Sequence, residues 1–328
     1  MRVSNSRALS YPRQGSEERE DFVSSSYQQP EYRPSTAGQV GAPSPHHGDL
    51  LPHSPGGSGV PVSTADPSPG GRRRLTARLS WLLILVGGVI AYLVVLRTMV
   101  ATSNVNFFPA LLLIGAITVP VTVLVLAEGL GNSPLVPGWA VLLTAVVGGV
   151  VGVVAAGTLE YDTMRRLGAV PMLFVGVIEE AAKLIVPVLL YLLWRPTDPR
   201  GGVIIGVAAG TGFATLETMG YGFQALLASG NIAAVDGTLL LRGLLSPACH
   251  IAWTGMTVAM LWRIRPARRR GRAVLAFLVT YLAAVVLHAT WDGSSSLAVH
   301  VVVAVIGLVV LVGFIVAARR GRGPLAHH

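Results

Sequence analysis

Residues 177–183 of the chain read VIEEAAK and lie inside an apolar run that covers residues 169–193. A run of this length predicts an α-helix that spans a bilayer. Two carboxylates and an amine inside such a helix are costly, so they are a functional hypothesis by default. Glu179 and Glu180 point about 100° apart around the helix, and Lys183 falls between them one turn later. The alternative is a self-neutralised cluster that only helps helices to pack.

The composition is typical of an integral membrane protein. Mean hydropathy is +0.60, hydrophobic residues make up 52% of the chain and charged residues only 12%. The formal charge of +9 would on its own suggest a nucleic-acid partner, but the arginines cluster at the ends of apolar runs, as in positive-inside anchoring. We therefore predict the lipid bilayer as a partner and no nucleic acid. The single cysteine, Cys249, excludes an internal disulfide and a cysteine-based metal cluster.

The apolar runs predict an all-α, polytopic transmembrane bundle of about eight spans with a disordered N-terminal tail. The spans cover roughly residues 79–97, 107–127, 138–157, 169–193, 203–228, 240–262, 273–291 and 298–317. Clusters of arginine fall on one side of these spans, which predicts that this side and both termini are cytoplasmic. Arg165 and Arg166, in the predicted loop after the third span, are the one exception to that rule.

A layer of ionisable residues crosses four of the predicted spans. Glu217 lies on the fifth span, His250 on the sixth and His288 on the seventh, with Asp292 one turn further on the same face. We counted residues along each span from its cytoplasmic end. The count places Glu180, Glu217, His250 and His288 at about 20–22 Å above the inner edge of a hydrocarbon core about 30 Å thick. We predict one site, roughly 10 Å below the outer surface. The alternative is a set of separate, hydrogen-bonded packing residues.

Carboxylates near imidazoles suit the activation of a water molecule for attack on a peptide carbonyl. Glu179 or Glu180 is the candidate general base, and Lys183 would orient the pair. His288 and Asp292 would stabilise a developing oxyanion or position the water.

The sequence leaves open whether the reaction uses a metal ion. It also leaves two functions other than proteolysis open for the cluster. Glu217, His250 and His288 could hold a zinc ion with an open coordination position, or a glutamate mechanism could operate without metal. A proton-coupled transporter would use the same Glu/His cluster as a relay, although the sequence shows no repeated halves. A catalytically inactive scaffold that binds a partner helix is the other alternative.

Four motifs follow one another on successive predicted spans. They are Glu179-Glu180-x-x-Lys183, Phe213-x-x-x-Glu217, His250-x-x-Trp253-Thr254 and His288-x-x-Trp291-Asp292. In this order and spacing they resemble the motifs of the PrsW family of intramembrane proteases, which is related to the CAAX prenyl endopeptidases and the bacterial Abi proteins. The resemblance covers roughly residues 169–295, and any one motif alone would be weak.

The resemblance implies a peptidase of the bacterial cytoplasmic membrane that makes the site-one cleavage in a membrane-anchored anti-sigma factor, near the extracytoplasmic face. It implies that Glu179 and Glu180 are catalytic, with Glu217, His250 and His288 as partners. The wider superfamily has an arginine four residues after the second glutamate and a histidine in place of Glu217. CAAX-type processing is therefore an alternative that these departures weaken.

We divide the chain into three parts on this basis. Residues 1–75 are predicted to be a disordered cytoplasmic tail, because they are rich in Pro, Ser, Gly and Gln and poor in large apolar residues. Residues 76–160 are predicted to be accessory transmembrane helices. Residues 161–322 are predicted to form the protease core that carries the four motifs.

Overall fold

The computed structural model of the chain describes residues 69–129 and 136–319, which form helices and no strand. The α-helices are α1 (Pro69–Thr102), α2 (Phe108–Ala127), α3 (Gly138–Leu167), α4 (Met172–Lys183), α5 (Ile185–Trp194), α6 (Gly201–Ser229), α7 (Ile232–Leu245), α8 (Ala252–Arg263), α9 (Arg270–Gly293) and α10 (Leu297–Arg319). A 3₁₀ turn (Val105–Phe107) precedes α2, and a π-helical segment (Pro247–Ile251) joins α7 to α8. The predicted disordered tail lies outside the described residues except for residues 69–75, which begin α1.

Seven helical segments of the described residues are long and apolar enough to cross a membrane. One of them is the continuous segment Ile232–Arg263, which contains α7, the π-helical segment and α8. Many large apolar side chains remain exposed, among them Leu83 and Leu193, as expected for helices that face lipid. The predicted all-α transmembrane bundle is confirmed.

The remaining predicted span, residues 169–193, consists of two helices in sequence. Pro187 has no N–H to donate to the carbonyl of Lys183, so the helical hydrogen-bond ladder is interrupted between α4 and α5. At the same break, the N–H of Leu184 bonds to the carbonyl of Ala181, three residues back, at 3.1 Å. Together α4 and α5 are about 34 Å long, at about 1.5 Å per residue, which is enough to cross a bilayer. The break places Lys183 in a helical C-terminal turn, where a cation is favoured.

α6 is the central helix, and most of its residues are buried. Gly206 and Gly210 belong to a stripe of small residues that faces α8 and the π-helical segment. A Cβ atom on Gly206 would lie 2.7 Å from the carbonyl oxygen of Thr254, and one on Gly210 would lie 2.7 Å from that of His250. No larger residue fits these contacts without displacement. The glycine at position 210 therefore lets the backbone of His250 rest directly on α6.

α3 extends further than the predicted span of residues 138–157. It ends at Gly168, which has a left-handed φ of 72° and donates its N–H to the carbonyl of Met164 at 2.8 Å. Arg165 and Arg166 therefore lie in the last helical turn rather than in a loop, and cations are favoured at that end of a helix. Their position has a local electrostatic reason, independent of the side of the membrane.

Candidate active site

Three elements bring five ionisable side chains into one buried cluster. The last turn of α4 carries Glu179, Glu180 and Lys183, whose spacing puts all three on the inward side of the bundle. The π-helical segment contributes His250, and α9 contributes His288. All five side chains are buried, although the residues are up to 109 positions apart in the chain. The structure thus brings together the residues that the sequence placed at one depth.

Lys183 is the centre of this cluster. Its Nζ atom lies 2.7 Å from Oε1 of Glu180, 3.4 Å from Oε2 of Glu179 and 2.8 Å from Nδ1 of His250. The ammonium also lies 4.3 Å from the centroid of the Phe213 ring, within the range of a cation–π contact. A fully buried amine needs such partners, because an unpaired charge in this environment is very costly. Lys183 therefore neutralises part of the negative charge from within the protein.

Glu180 and His288 form a second buried contact. Nδ1 of His288 lies 2.8 Å from Oε1 of Glu180, so this ring nitrogen carries a proton and donates it to the carboxylate. Nε2 of the same ring lies 3.1 Å from Oδ2 of Asp292, one turn further along α9. The Asp292 side chain is 28% exposed, which makes it the most accessible of the predicted site residues. The His288 ring is therefore held between the buried carboxylate of Glu180 and the partly exposed carboxylate of Asp292.

Glu179 differs from Glu180 in having an oxygen without a hydrogen-bond partner. Its buried Oε2 atom accepts no hydrogen bond from the described residues, although Nε2 of His288 lies 3.5 Å away. A buried carboxylate oxygen is rarely left in this condition unless a ligand, proton or metal completes it. Glu179 therefore offers an acceptor oxygen whose contacts with Lys183 and His288 are long, at 3.4 and 3.5 Å.

Glu217 joins the cluster from α6 through His250. One oxygen of Glu217 lies 2.9 Å from Nε2 of His250, and the other lies 2.9 Å from Nη2 of Arg242. The Arg242 guanidinium also stacks on Tyr221, with 3.6 Å between its Cζ atom and the ring centroid. Arg242 was not among the residues predicted from the sequence. An arginine inside the predicted sixth span was the signal that could have identified it.

The π-helical segment explains how His250 reaches the cluster. Pro247 cannot donate to the carbonyl of Gly243, and the hydroxyl of Ser246 donates to that carbonyl instead, at 3.0 Å. The N–H of Ile251 bonds to the carbonyl of Ser246, five residues back, at 3.2 Å. A π-helical turn of this kind rotates the residues that follow it, and such turns are frequent at functional sites.

Aromatic rings enclose the two imidazoles. The Trp253 ring is fully buried, with its centroid 5.1 Å from that of His288 and 5.8 Å from that of His250. The Phe213 ring lies 5.7 Å from His250 on another side. These contacts exclude water from the rings and fix their orientation, which strengthens the electrostatic interactions within the cluster.

One set of donor atoms in this cluster suits a metal ion. Glu179, His250 and His288 each offer a ligand atom, and these atoms lie within 4.8 Å of one another. Two imidazoles and one carboxylate form a known set of zinc ligands in hydrolytic enzymes. The free Oε2 of Glu179 supports the fit, and so does the bond from Nδ1 of His288 to a carboxylate, which commonly orients a metal-binding histidine. Glu179 and His288 therefore fit a divalent cation, whereas His250 fits it only after the ammonium of Lys183, 2.8 Å from its Nδ1 atom, moves away.

This set differs by one member from the set predicted from the sequence. Glu217, His250 and His288 were predicted as zinc ligands, and the structure groups the two histidines with Glu179. Glu217 instead divides its two oxygens between Arg242 and His250. Its position is that of a partner that orients His250.

Comparison with known proteins gives one match. The family described as PrsW family intramembrane metalloprotease matches residues 136–318, which extend from before α3 into α10. Neither the comparison with curated proteins nor the one with solved structures gave a significant match. The matched range contains the four motifs and continues beyond them on both sides.

Proposed function

The chain belongs to the PrsW family of intramembrane metalloproteases, and from this premise we propose that it hydrolyses a peptide bond of a single-pass membrane protein close to the extracytoplasmic face. An anti-sigma factor is the substrate class that the four sequence motifs favour. We place the enzyme in the bacterial cytoplasmic membrane with both termini in the cytoplasm, because the arginine-rich segments lie on that side of the predicted spans.

The free carboxylate oxygen of Glu179 is the observation that carries this proposal. It is buried, and its neighbours are Nζ of Lys183 at 3.4 Å and Nε2 of His288 at 3.5 Å. A water molecule or a substrate group that enters the cluster could therefore bond to it. A proton relay in a transporter would also need a proton acceptor such as Glu179. It would not need His288 to be held next to that acceptor by a second carboxylate, Glu180. The combination suits the deprotonation of an attacking water.

Glu179, rather than Glu180, is the general base in this proposal. Oε1 of Glu180 is engaged by Lys183 at 2.7 Å and by His288 at 2.8 Å, so it is committed to holding these two groups. Glu179 has only longer contacts with the same partners, at 3.4 and 3.5 Å. Because the contacts of Glu179 with these partners are longer, its carboxylate is the one that can accept a proton from water.

His288 and Asp292 act on the developing charge and on the leaving group. With Nδ1–H directed at Glu180, a proton on Nε2 would be directed at the space between Glu179 and Asp292. In a metal-free reaction, this Nε2–H could donate a hydrogen bond to the oxyanion of the tetrahedral intermediate, whereas with a metal bound Nε2 would be the ligand atom instead. Glu179 can return to the departing amine the proton that it took from the water, and Asp292, which is the most exposed member, can accept a hydrogen bond from that amine and position it.

Glu179, His250 and His288 are the residues that would hold a metal ion, and Zn²⁺ is the cation we propose. When bound, Zn²⁺ would polarise the substrate carbonyl and acidify the attacking water. A carboxylate has two oxygens, so Glu179 can bind a cation through one and accept a proton through the other. Lys183 would hold Glu180, and Glu217 would hold His250, so that the ligands keep their orientation.

The experiment that tests this function is cleavage of a purified single-pass anti-sigma factor by the reconstituted protein. We expect the wild type to cleave it and Glu179→Gln to lose at least 100-fold in rate, which is the usual loss for a missing general base. Asp198→Asn is the matched control, since among the described residues Asp198 pairs only with Arg200, in a short connection between α5 and α6.

A wild-type protein that moves protons across the proteoliposome membrane without cleaving the substrate would contradict the proposal. That result would favour the transporter. Equal cleavage by the wild type and by Glu179→Gln would exclude Glu179 as the base.

A further inference from the structure

A cavity lies at the end of the bundle where α3 and α6 begin and where α5 and α8 end. Its volume is about 460 Å³, within the range of about 300–1,000 Å³ that is usual for small-ligand sites. The first residues of α3 and α6, the connection between α5 and α6, and the last turn of α8 form its wall. No residue of the buried Glu/His/Lys cluster belongs to this wall, so the cavity is separate from the candidate active site.

Trp262 presents a free N–H to this cavity. The residue is only 2% exposed, and its Nε1 atom donates to no group of the described residues. The Nε1 atom of Trp253 is sealed from the surface, whereas that of Trp262 is not. It lies beside Gly201, another residue of the wall, where a Cβ atom would be 3.8 Å away from it. Buried donors are rarely left unpaired, so this N–H indicates an acceptor that comes from outside the chain.

Two long helices begin at the same cavity. Neither Pro137, which precedes α3, nor Arg200, which precedes α6, caps its helix with a side-chain hydrogen bond. The first turn of a helix has main-chain N–H groups without a helical partner, and its end of the helix dipole is positive. Trp139 and Gly201, which belong to these first turns, both line the cavity. Two helix N-termini and an indole N–H together favour an anion with several acceptor oxygens.

The charged side chains of the wall also favour an anion. Asp198 is the acid of the wall, and the guanidinium of Arg200 balances it through contacts of 2.6 and 3.0 Å. Arg195 has no ion-pair partner among the described residues. Its backbone is left-handed, with a φ of 50°, and strained backbone of this kind is frequent at binding sites. The wall therefore has one positive charge that no acid of the described residues balances.

The rim of the cavity continues into an apolar surface. The Trp139 residue is 60% exposed, and its ring packs edge to face on that of Trp194, with 5.5 Å between the centroids. Leu142 and Leu143, about one turn further along α3, are exposed as well. Tryptophan is enriched at the level of lipid headgroups, and exposed leucines below it face acyl chains. An anion that binds here and carries apolar chains matches both the wall and the rim.

We propose that this cavity binds the phosphate of an anionic phospholipid. The phosphate oxygens accept the N–H of Trp262 and first-turn N–H groups of α3 and α6, and Arg195 balances their charge. The acyl chains lie against Trp139 and along the exposed side of α3. An anionic headgroup is preferred to a zwitterionic one, because the ammonium of the latter would be repelled by Arg195. This site is independent of the proteolytic function proposed above.

Lipid binding to the full-length protein in detergent, measured by native mass spectrometry, tests the proposal. The probes are phosphatidylglycerol, phosphatidylcholine and inorganic phosphate. We expect one molecule of phosphatidylglycerol to bind about fivefold more tightly than phosphatidylcholine, as for one arginine near an anionic headgroup. Inorganic phosphate at equal concentration should not displace it, because phosphate has no acyl chains.

Two substitutions locate the site, each with a matched control. Trp262→Phe keeps an aromatic ring without the N–H and should weaken phosphatidylglycerol binding about tenfold, as for one hydrogen bond to a charged group. Arg195→Gln should bring the ratio between the two lipids close to one. Trp81→Phe and Arg270→Gln change the same residue types outside the cavity, on α1 and α9, and should leave both values unchanged.

Three results would overturn the proposal. They are equal affinities of the two lipids for the wild type, displacement of the lipid by equimolar inorganic phosphate, and wild-type lipid preference in Arg195→Gln. Displacement by phosphate would assign the cavity to a free anion. If Trp262→Phe fails to fold, Arg195→Gln decides the question alone, because Arg195 is exposed and its replacement leaves the packed interior intact.

Discussion

Nδ1 of His288 lies 2.8 Å from Oε1 of Glu180, and the same oxygen lies 2.7 Å from Nζ of Lys183. A single carboxylate oxygen therefore ties α9 to α4 and holds the buried ammonium. Glu179, the preceding residue, has no such short contacts. We therefore expect the two adjacent glutamates to have different tasks, Glu180 in holding the site together and Glu179 in the reaction proposed above.

This division predicts different effects on stability for the two glutamates. Glu180→Gln should lower the free energy of unfolding by about 3 kcal/mol, because it leaves Lys183 and His288 buried with less compensating charge. Glu179→Gln should change it by less than about 1 kcal/mol, since its Oε2 accepts no hydrogen bond. Reversible unfolding in mixed micelles, followed by far-UV circular dichroism, measures both values. Equal losses would contradict the division.

The zinc content of variants distinguishes two candidate ligand sets. The structure groups Glu179 with the two histidines, and the sequence predicted Glu217 in its place. At saturating zinc, we expect Glu217→Gln to bind one equivalent with reduced affinity, since a residue that orients a ligand typically contributes 10- to 100-fold. Glu179→Gln should bind much less than one equivalent. Equilibrium dialysis followed by elemental analysis gives the stoichiometry. The reverse pattern would favour Glu217 as the third ligand.

The contact between Gly210 and the carbonyl of His250 predicts a sensitive position on α6. A methyl group at position 210 would have to displace this backbone, because its Cβ would lie 2.7 Å from the oxygen. Gly210→Ala should cost about 1–3 kcal/mol of stability and reduce proteolysis. Gly220→Ala is the matched control on the same helix, where a Cβ meets no atom within 4 Å. If both variants behave like the wild type, the close approach has no functional role.

The hydroxyl of Ser246 replaces a main-chain donor that Pro247 lacks, so its removal should be measurable. Ser246→Ala leaves the carbonyl of Gly243 without that donor and should cost about 1 kcal/mol of stability. Activity should fall with it, because the π-helical turn then holds His250 less firmly. Ser229→Ala, which removes an exposed hydroxyl near the end of α6, should change neither value appreciably. Thermal unfolding and the cleavage rate are the two measurements.

Much of this arrangement could be predicted from the sequence, because bilayer thickness limits the possible helices. Spacing along one helix brings Lys183 beside both glutamates, and counting from the membrane edge places His250 and His288 at their depth. Sequence spacing does not give the rotation of one helix against another. For that reason the sequence could not decide between Glu179 and Glu217 as the third member of the metal set.

Local interruptions of helices were the other limit. The break after Lys183 follows from Pro187, which was visible in the sequence, but an apolar run of this length is usually continuous. The π-helical turn at Pro247–Ile251 adds a rotation that no periodic pattern contains. Arg242 on α7 pairs with Glu217 on α6, a contact between two helices that spacing along one helix does not reveal.

The ammonium of Lys183 has a consequence for the assembly of the enzyme. Small zinc domains fold only when the ion arrives, because their site does not exist in the unfolded chain and the binding free energy drives folding. Here a covalently attached cation already stands among the acids, 2.7 and 3.4 Å from the two nearest oxygens. The nascent protein can thus insert and reach its native form before any ion is available. If Zn²⁺ binds as proposed, we expect loading to be a late and reversible event, so that cellular zinc supply sets the fraction of active molecules without affecting how many survive quality control.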